Sequence, residues 1–357
     1  MFDKQPPTLR RGLKVTGEAT QKRPDKETHI TKRPDRVGPY LKDHLDEFTF
    51  SEFGSDYLKR NGMKESFTGV PIPLRDEDRK ATGGPEGLKG GIVAENMARV
   101  LGIDTNFKYR DIYVDYINLY FGNKAVDNMA NKAKDYGEKG DKVAACIYFR
   151  AALVLKYNDL SSMYGYARAL REMYSDADGK KEDYVGNLKA EALDYLELTT
   201  EIYPNFDMAW YYLGYMYLNL GLYIKAKLAW NEYLKFGRVR KDRTEIKKRI
   251  EQLKEPVEIE KGYNAVLSGR WNKGLDILEP YKDSRFNDWW PLWYYLGVAY
   301  ARTGRLEEAE GAFKRALKGS PRHLESMEEL ISIYEANGDK KNIKKYQDKI
   351  KLVYQES

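Results

Sequence analysis

From Ile92 to the end of the chain, apolar residues return at three- and four-residue intervals, and the runs are interrupted at regular distances by glycine. That rhythm predicts amphipathic helices laid one after another. The clearest stretch runs from Trp293 to Leu317. Trp293, Leu296, Tyr300 and Phe313 are large, Gly297, Ala309 and Ala316 are small, and Thr303 and Gly304 break the run. Two helices joined by a turn are expected, touching at the small residues. Helix axes approach closely only where neither carries a bulky side chain, and the large neighbours then fill the grooves.

The same order of large, small and turn residues appears elsewhere. Trp210, Leu213, Gly214, Tyr217, Gly221, Ala226 and Trp230 repeat it, and steps of 34 residues lead from Gly304 to Gly338 and from Tyr300 to Tyr334. Looser copies hold Ala133, Tyr136, Gly140, Ala145, Phe149 and Ala152, then Tyr166, Ala167, Leu170, Ala192, Leu196 and Pro204, and later Gly262, Ala265, Gly269, Gly274 and Leu278. Two earlier helical segments, Ile92 to Leu101 and the tyrosine-rich face Tyr109, Tyr113, Tyr116 and Tyr120, are placed to cap the first repeat.

Trp293, Leu296, Gly297, Tyr300, Ala309, Phe313, Ala316 and Pro321 resemble, in order and spacing, the tetratricopeptide repeat, whose period is about 34 residues. The resemblance implies an all-α chain, a right-handed α-solenoid of about six such helix pairs. The expected organisation is an arm over 1–91, largely disordered, with amphipathic islands; capping helices over 92–125; and a solenoid over 126–357. Its units lie near 126–159, 160–206, 207–240, 255–289, 290–323 and 324–357, with a linker helix over 241–254. One insertion of about 13 residues surrounds Ser175 to Lys181, and one of about 15 forms the linker helix.

In this family the first helix of each pair lines a concave groove that takes peptides. The resemblance therefore places Arg168, Arg171, Met208, Tyr211, Tyr215, Asn219, Tyr263, Tyr294, Val298 and Arg302 on the groove, with Ile259 beside Tyr263 and Glu325, Glu328 and Glu335 at the far end. An extended ligand with an acidic end, an apolar middle and a basic end complements that series. Some members grip the terminal carboxylate of heat-shock chaperones; the matching places here hold Ala130, Lys134, Gly165, Met208 and Tyr212, and only Lys134 suits that co-chaperone role.

Composition adjusts this picture in a few places. The 357 residues carry 61 Lys and Arg against 55 Asp and Glu, a net charge of +6, which permits nucleic-acid contact without demanding it. The basic excess is local. Residues 1–36 include Arg10, Arg11, Lys22, Arg23, Lys32 and Arg33 with few apolar side chains, so they read as a solvated tail or a tether to RNA or an acidic partner. The linker helix carries Arg238, Arg240, Lys241, Arg243, Lys247, Lys248 and Arg249, either a plain extension of its repeat or a contact for RNA or an acidic protein. Between them, Leu41, Leu45, Phe48, Phe50, Phe53, Tyr57 and Val70 to Leu74 form islands that suit folding onto a surface, the protein's own groove included, and a short helix fits between Leu41 and Lys59.

Gly83 to Gly91 lacks the Gly-Lys-Ser/Thr ending of a phosphate loop and reads as a flexible linker. Asp176, Asp178 and Glu182 do not follow the calcium-loop pattern. His29, His44 and His323 are scattered, and the single Cys146 has no partner, so no catalytic residue, metal or cofactor is assigned. The start of the chain has no signal-like apolar run, and Trp289 to Ala301 is too short to span a bilayer, which together suggest a cytoplasmic protein with no membrane part. The expected function is a non-enzymatic scaffold that binds protein segments, with an RNA-associated factor as the alternative.

Overall fold

A computed structural model describes residues 34–61, 63, 65–176 and 182–355. Residues 1–33 and 177–181 of the insertion around Ser175 to Lys181 lie outside the described residues, and so does the expectation of a disordered tail before Pro34. The described residues divide into two compact units, 34–216 and 217–355.

The first unit begins with a folded segment where the sequence suggested an extended arm. A short helix α1 (Gly38–Leu41) passes through a 3-10 stretch to strand β1 (Phe48–Ser51), helix α2 (Ser55–Arg60), strand β2 (Ile72–Arg75) and helix α3 (Asp76–Thr82). The strands form a two-stranded antiparallel ribbon, with Phe48 opposite Arg75 and Ser51 opposite Ile72, in a chain that is otherwise helical. No single helix spans Leu41 to Lys59, and the glycine-rich stretch after α3 is a 3-10 turn with Pro85 and Leu88 buried rather than a free linker.

The physical reason is α4 (Gly90–Ile103). Ten of its 14 residues are buried, including Val93, Met97, Leu101 and Ile103, and a helix apolar on so many sides needs a cover. Val37, Leu41, Phe48, Phe53, Leu58, Val70, Ile72 and Leu74 are all buried. These islands need no core of their own, because they complete that of α4 and α5 (Arg110–Phe121). Polar bonds fix the register. Asn96 donates to the Pro73 carbonyl at 3.2 Å and to Asp78 at 2.8 Å, and Arg99 holds Glu47 through both carboxylate oxygens.

Two helix pairs follow, α6 (Ala125–Glu138) with α7 (Lys142–Leu155) and α8 (Leu160–Ser175) with α9 (Glu182–Ile202). Asp141 caps α7 by accepting from the Ala144 amide, and Asp159 caps α8 by accepting from Ser162. Helix α10 (Asp207–Asn219) carries the boundary between the units.

The second unit holds α11 (Tyr223–Phe236), α12 (Arg240–Gln252), α13 (Lys254–Leu267), α14 (Trp271–Leu278), α15 (Trp290–Arg302), α16 (Leu306–Gly319), α17 (Leu324–Asn337) and α18 (Lys340–Gln355). Three helix pairs stand in this unit, α13 with α14, α15 with α16 and α17 with α18, with α12 as an extra helix. The small residues sit at the crossings. A Cβ on Gly297 would lie 2.7 Å from the Phe313 ring, and one on Gly274 would lie 3.5 Å from the Gly262 carbonyl. The turns within the pairs close through Gly140, Gly269, Gly304 and Gly338, with φ of 84°, 75°, 81° and 70°. Only glycine adopts that left-handed region without strain. A continuous core runs through this unit from Ile259 through Leu296 and Phe313 to Tyr334 and Tyr346.

Candidate functional site

In the first unit the first helices of the two pairs, α6 and α8, enclose a cleft of about 860 Å³. Its floor is apolar: Ala133 and Gly137 of α6, Ala145 and Phe149 of α7, and Gly165 and Ala169 of α8. The depth follows from Gly165. Any side chain there would run into the Phe149 ring, so the missing Cβ lets the ring lie against the α8 backbone. Along the walls stand Lys134, Glu138, Tyr164, Arg168, Glu172 and Phe206.

An aromatic group borders the cleft. Tyr164 meets Phe206 edge-on at 5.0 Å and Tyr212 at 6.0 Å, and the Arg171 guanidinium lies 4.3 Å from the centre of the Tyr212 ring. Tyr211 lies perpendicular to Tyr212 at 5.3 Å and tilts against Tyr215 at 5.1 Å. Burial, reinforced by Tyr212, pushes the Tyr164 phenol well up, which keeps it protonated and able to donate. Arg168 is exposed and pairs with Glu172 one turn on at 3.2 Å, an arrangement of little energetic weight that leaves both groups available.

The residues picked from the sequence are thus dispersed. Arg168 lines the cleft, and Arg171 borders it through Tyr212. Tyr211, Tyr215 and the half-buried Met208 lie on α10, and Asn219 is exposed at its end, in the second unit. In that second unit Tyr263 packs inward. It stacks on Tyr295 of α15 at 4.4 Å, and its hydroxyl is buried without a hydrogen-bond partner. Tyr294 is half-buried, 4.7 Å from His323 and edge-on to it, Val298 is half-buried, and Arg302 is exposed and paired with Glu329 at 3.2 Å.

Sequence reasoning passed over Tyr164, Phe206 and the Gly165–Phe149 contact. Tyr164 was readable: it stands three residues before Ala167, as Tyr211 stands before Gly214 and Tyr294 before Gly297. Of the positions that would grip a chaperone tail, Lys134 and Gly165 line the cleft, and only Lys134 brings a cation to it.

Also unforeseen was a buried charge cluster on the second helices. Arg150 of α7, only 4% exposed, holds Asp35 through two bonds of 2.8 and 2.6 Å and donates to the Gly102 carbonyl at 2.7 Å. Tyr166 donates to Glu191 at 2.5 Å, and the Arg36 amide donates to the same carboxylate at 2.9 Å. Burial works against the charge on Asp35, but the bonds and charge of Arg150 outweigh it and hold that carboxyl below its ordinary value. Burial wins at Glu191, whose carboxyl is raised. The described start of the arm is therefore fastened to α7 and α9, not laid in the α6–α8 cleft. Cys146 is fully buried, and burial pushes its thiol up to about 12, which fits a filler rather than a reactive thiol. Among the described residues no helix is long and apolar enough to cross a membrane.

A family model described as the tetratricopeptide repeat matches residues 290–323. No curated protein matches the chain. Similar solved structures include the P58(IPK) TPR domain, 13% identical over 78% of this chain and 87% of that one, with a TM-score of 0.42. Another is YrrB, described as a TPR protein with an unusual peptide-binding site, 18% identical over 57% and 91%, with a TM-score of 0.26. A third is the TPR2AB domain of yeast Sti1 in complex with pHSP90, 14% identical over 66% and 93%, with a TM-score of 0.30. At such overlap none of them carries a binding residue over to this chain. The match at 290–323 identifies α15 and α16 as a tetratricopeptide repeat, and the neighbouring helix pairs repeat its pattern of turns and small residues at the crossings.

Proposed function

We propose that the protein is a non-catalytic scaffold that holds an extended segment of another protein in the cleft between α6 and α8. The observation that carries this reading is the cleft's make-up. An apolar floor opened by Gly165 lies beneath an aromatic wall of Tyr164 and Phe206, with Lys134 and Arg168 against Glu138 and Glu172 at the rim. Such a site suits an apolar or aromatic side chain seated on the floor, with the ligand backbone and polar groups bonding to the rim. Tyr164 and Arg168 are the residues assigned to contact, and the tyrosines of α10 extend the aromatic surface on one side.

The test is selection of a phage-displayed library of linear peptides on the full-length protein, followed by affinity measurements on the enriched sequences. Enriched peptides are expected to share an aromatic or large aliphatic anchor. Tyr164→Ala and Arg168→Ala should each weaken them by about tenfold, the scale of a residue worth more than 1 kcal/mol at an interface. Enriched peptides that bind both variants as well as the parent would refute the assignment, as would a selection yielding no shared anchor.

A further inference from the structure

We infer that the outward face of α12 is a docking strip for the sugar–phosphate backbone of a double-stranded nucleic acid, read without regard to sequence. This goes beyond the scaffold role and stands independently of it.

The helix divides its charges by face. On the inner side Ile246 and the following Leu253 are buried, and Arg243 donates to the Leu234 and Gly237 carbonyls at 2.5 and 2.8 Å, closing the end of α11. Arg249 pairs with Glu245 at 3.5 Å. These two arginines are accounted for by the fold. On the outer side Arg240, Lys241, Lys247 and Lys248 are exposed, with Arg238 just ahead of them, and none of the five makes an ion pair or side-chain hydrogen bond. Nearby cations behave otherwise: Lys235 is held by Glu232 and Lys261 by Glu258, each at 2.6 Å, and Lys254 by Glu251. Arg240 to Lys248 spans about 12 Å at the helical rise, so the strip meets several phosphates of one backbone.

What lies between the cations selects the occupant. Thr244, Gln252 and Glu251 are exposed there, Glu251 being taken up by Lys254, and Val239 at the near end is the sole apolar side chain on that side of the helix. A protein partner needs a desolvated apolar or aromatic anchor at the centre of its footprint, and the strip offers none. A single strand would be held by stacking on aromatic rings, which are also missing from this face. A phosphate backbone asks only for cations and short polar side chains.

The experiment is fluorescence anisotropy of a labelled 24-base-pair DNA duplex with the full chain between 50 and 200 mM salt. The dissociation constant is expected near 10⁻⁶ to 10⁻⁴ M at physiological salt. The α12 cations supply about −0.9 per phosphate to the log–log salt slope. The triple variant Arg240→Gln, Lys247→Gln, Lys248→Gln should flatten the slope by about 2.7. Lys340→Gln, Lys341→Gln, Lys344→Gln removes the same charge from α18 and should leave the slope in place. The basic residues before Pro34 are common to all three proteins and cancel in the comparison. A second duplex of unrelated sequence should bind alike. Equal flattening by both variants would overturn the proposal, since net charge would then explain the binding. Absence of binding at 50 mM salt would do so as well, and so would tighter binding to polyglutamate or to phosphatidylserine vesicles than to the duplex.

Discussion

The attachment of the N-terminal segment to the repeats rests on one buried guanidinium, and removing its partner gives a quantitative test. In Asp35→Ala, Arg150 stays 4% exposed with its nearest remaining carboxylate, Glu191, at 3.7 Å, while the Gly38 amide loses an acceptor at 2.7 Å. Breaking a buried pair costs about 3–5 kcal/mol, because a charge is left uncompensated. Asp35 is 27% exposed, which puts the expected loss at the lower end, about 3 kcal/mol. For a unit of this size that corresponds to about 6–12 °C in melting temperature. The double variant Asp35→Ala, Arg150→Met removes the stranded charge but leaves the Gly102 carbonyl without its donor and Glu191 without a cation, so it should recover part of the loss. Thermal melts followed by circular dichroism, with hydrogen exchange at Val37 and Leu41, provide the readout. Asp35→Ala melting within about 2 °C of the parent would refute the reasoning, as would two substitutions whose effects simply add.

Other outcomes follow from single contacts. Trp293, 9% exposed with its indole donating to the Asn287 carbonyl at 2.6 Å, anchors α15, so Trp293→Ala should destabilise the second unit by about 3–5 kcal/mol in urea titrations. Gly102→Ala would drive a methyl into the Ile147 carbonyl, a backbone atom that cannot swing aside, and should lower the urea midpoint by about 1–3 kcal/mol or more. His323 caps α17 by accepting from the Ser326 amide at 3.2 Å through Nδ1, which requires the neutral ring, and burial lowers its pKa below 6.5 although Glu325 opposes this. With the folded value depressed, its stabilisation is complete above pH 6.5 and declines as pH falls through the folded pKa. His323→Asn, which caps without titrating, should flatten the melting temperature of the second unit between pH 7 and 5.

The helix pairs were legible because their cause is local. A turn glycine and a small residue seven positions before it report the crossing and the turn from within one short segment, as at Gly297 and Gly304. The segment from 34 to 91 was not legible for the opposite reason. Its anchors are distant: Glu47 meets Arg99 across 52 residues and Asp35 meets Arg150 across 115, and neither partner looks unusual in its own neighbourhood. The site was legible in part. The register marks the groove positions, yet it does not say which of them the packing will close. Tyr263 occupies the same place as Arg168, but its ring stacks on Tyr295 with its hydroxyl buried, whereas Arg168 is exposed at an open cleft.

Gly165 therefore links the architecture to the proposed activity, and Gly165→Ala separates the two. Alanine raises helix propensity by about 0.8–1 kcal/mol, which alone would stabilise α8. Against that, the new methyl meets the Phe149 ring, and overpacking of this kind costs about 1–3 kcal/mol. The expected result is a protein between unchanged and about 2 kcal/mol less stable. Its Phe149 ring would be pushed toward the cleft, and affinity for selected peptides would fall by more than the stability change alone allows. Phe149→Leu in the same background shortens the ring's reach and should restore stability while leaving the floor altered, so peptide binding should stay weak. If Gly165→Ala stabilises the protein and leaves peptide affinity unchanged, the ring has room to yield and the depth of the cleft does not depend on the missing side chain.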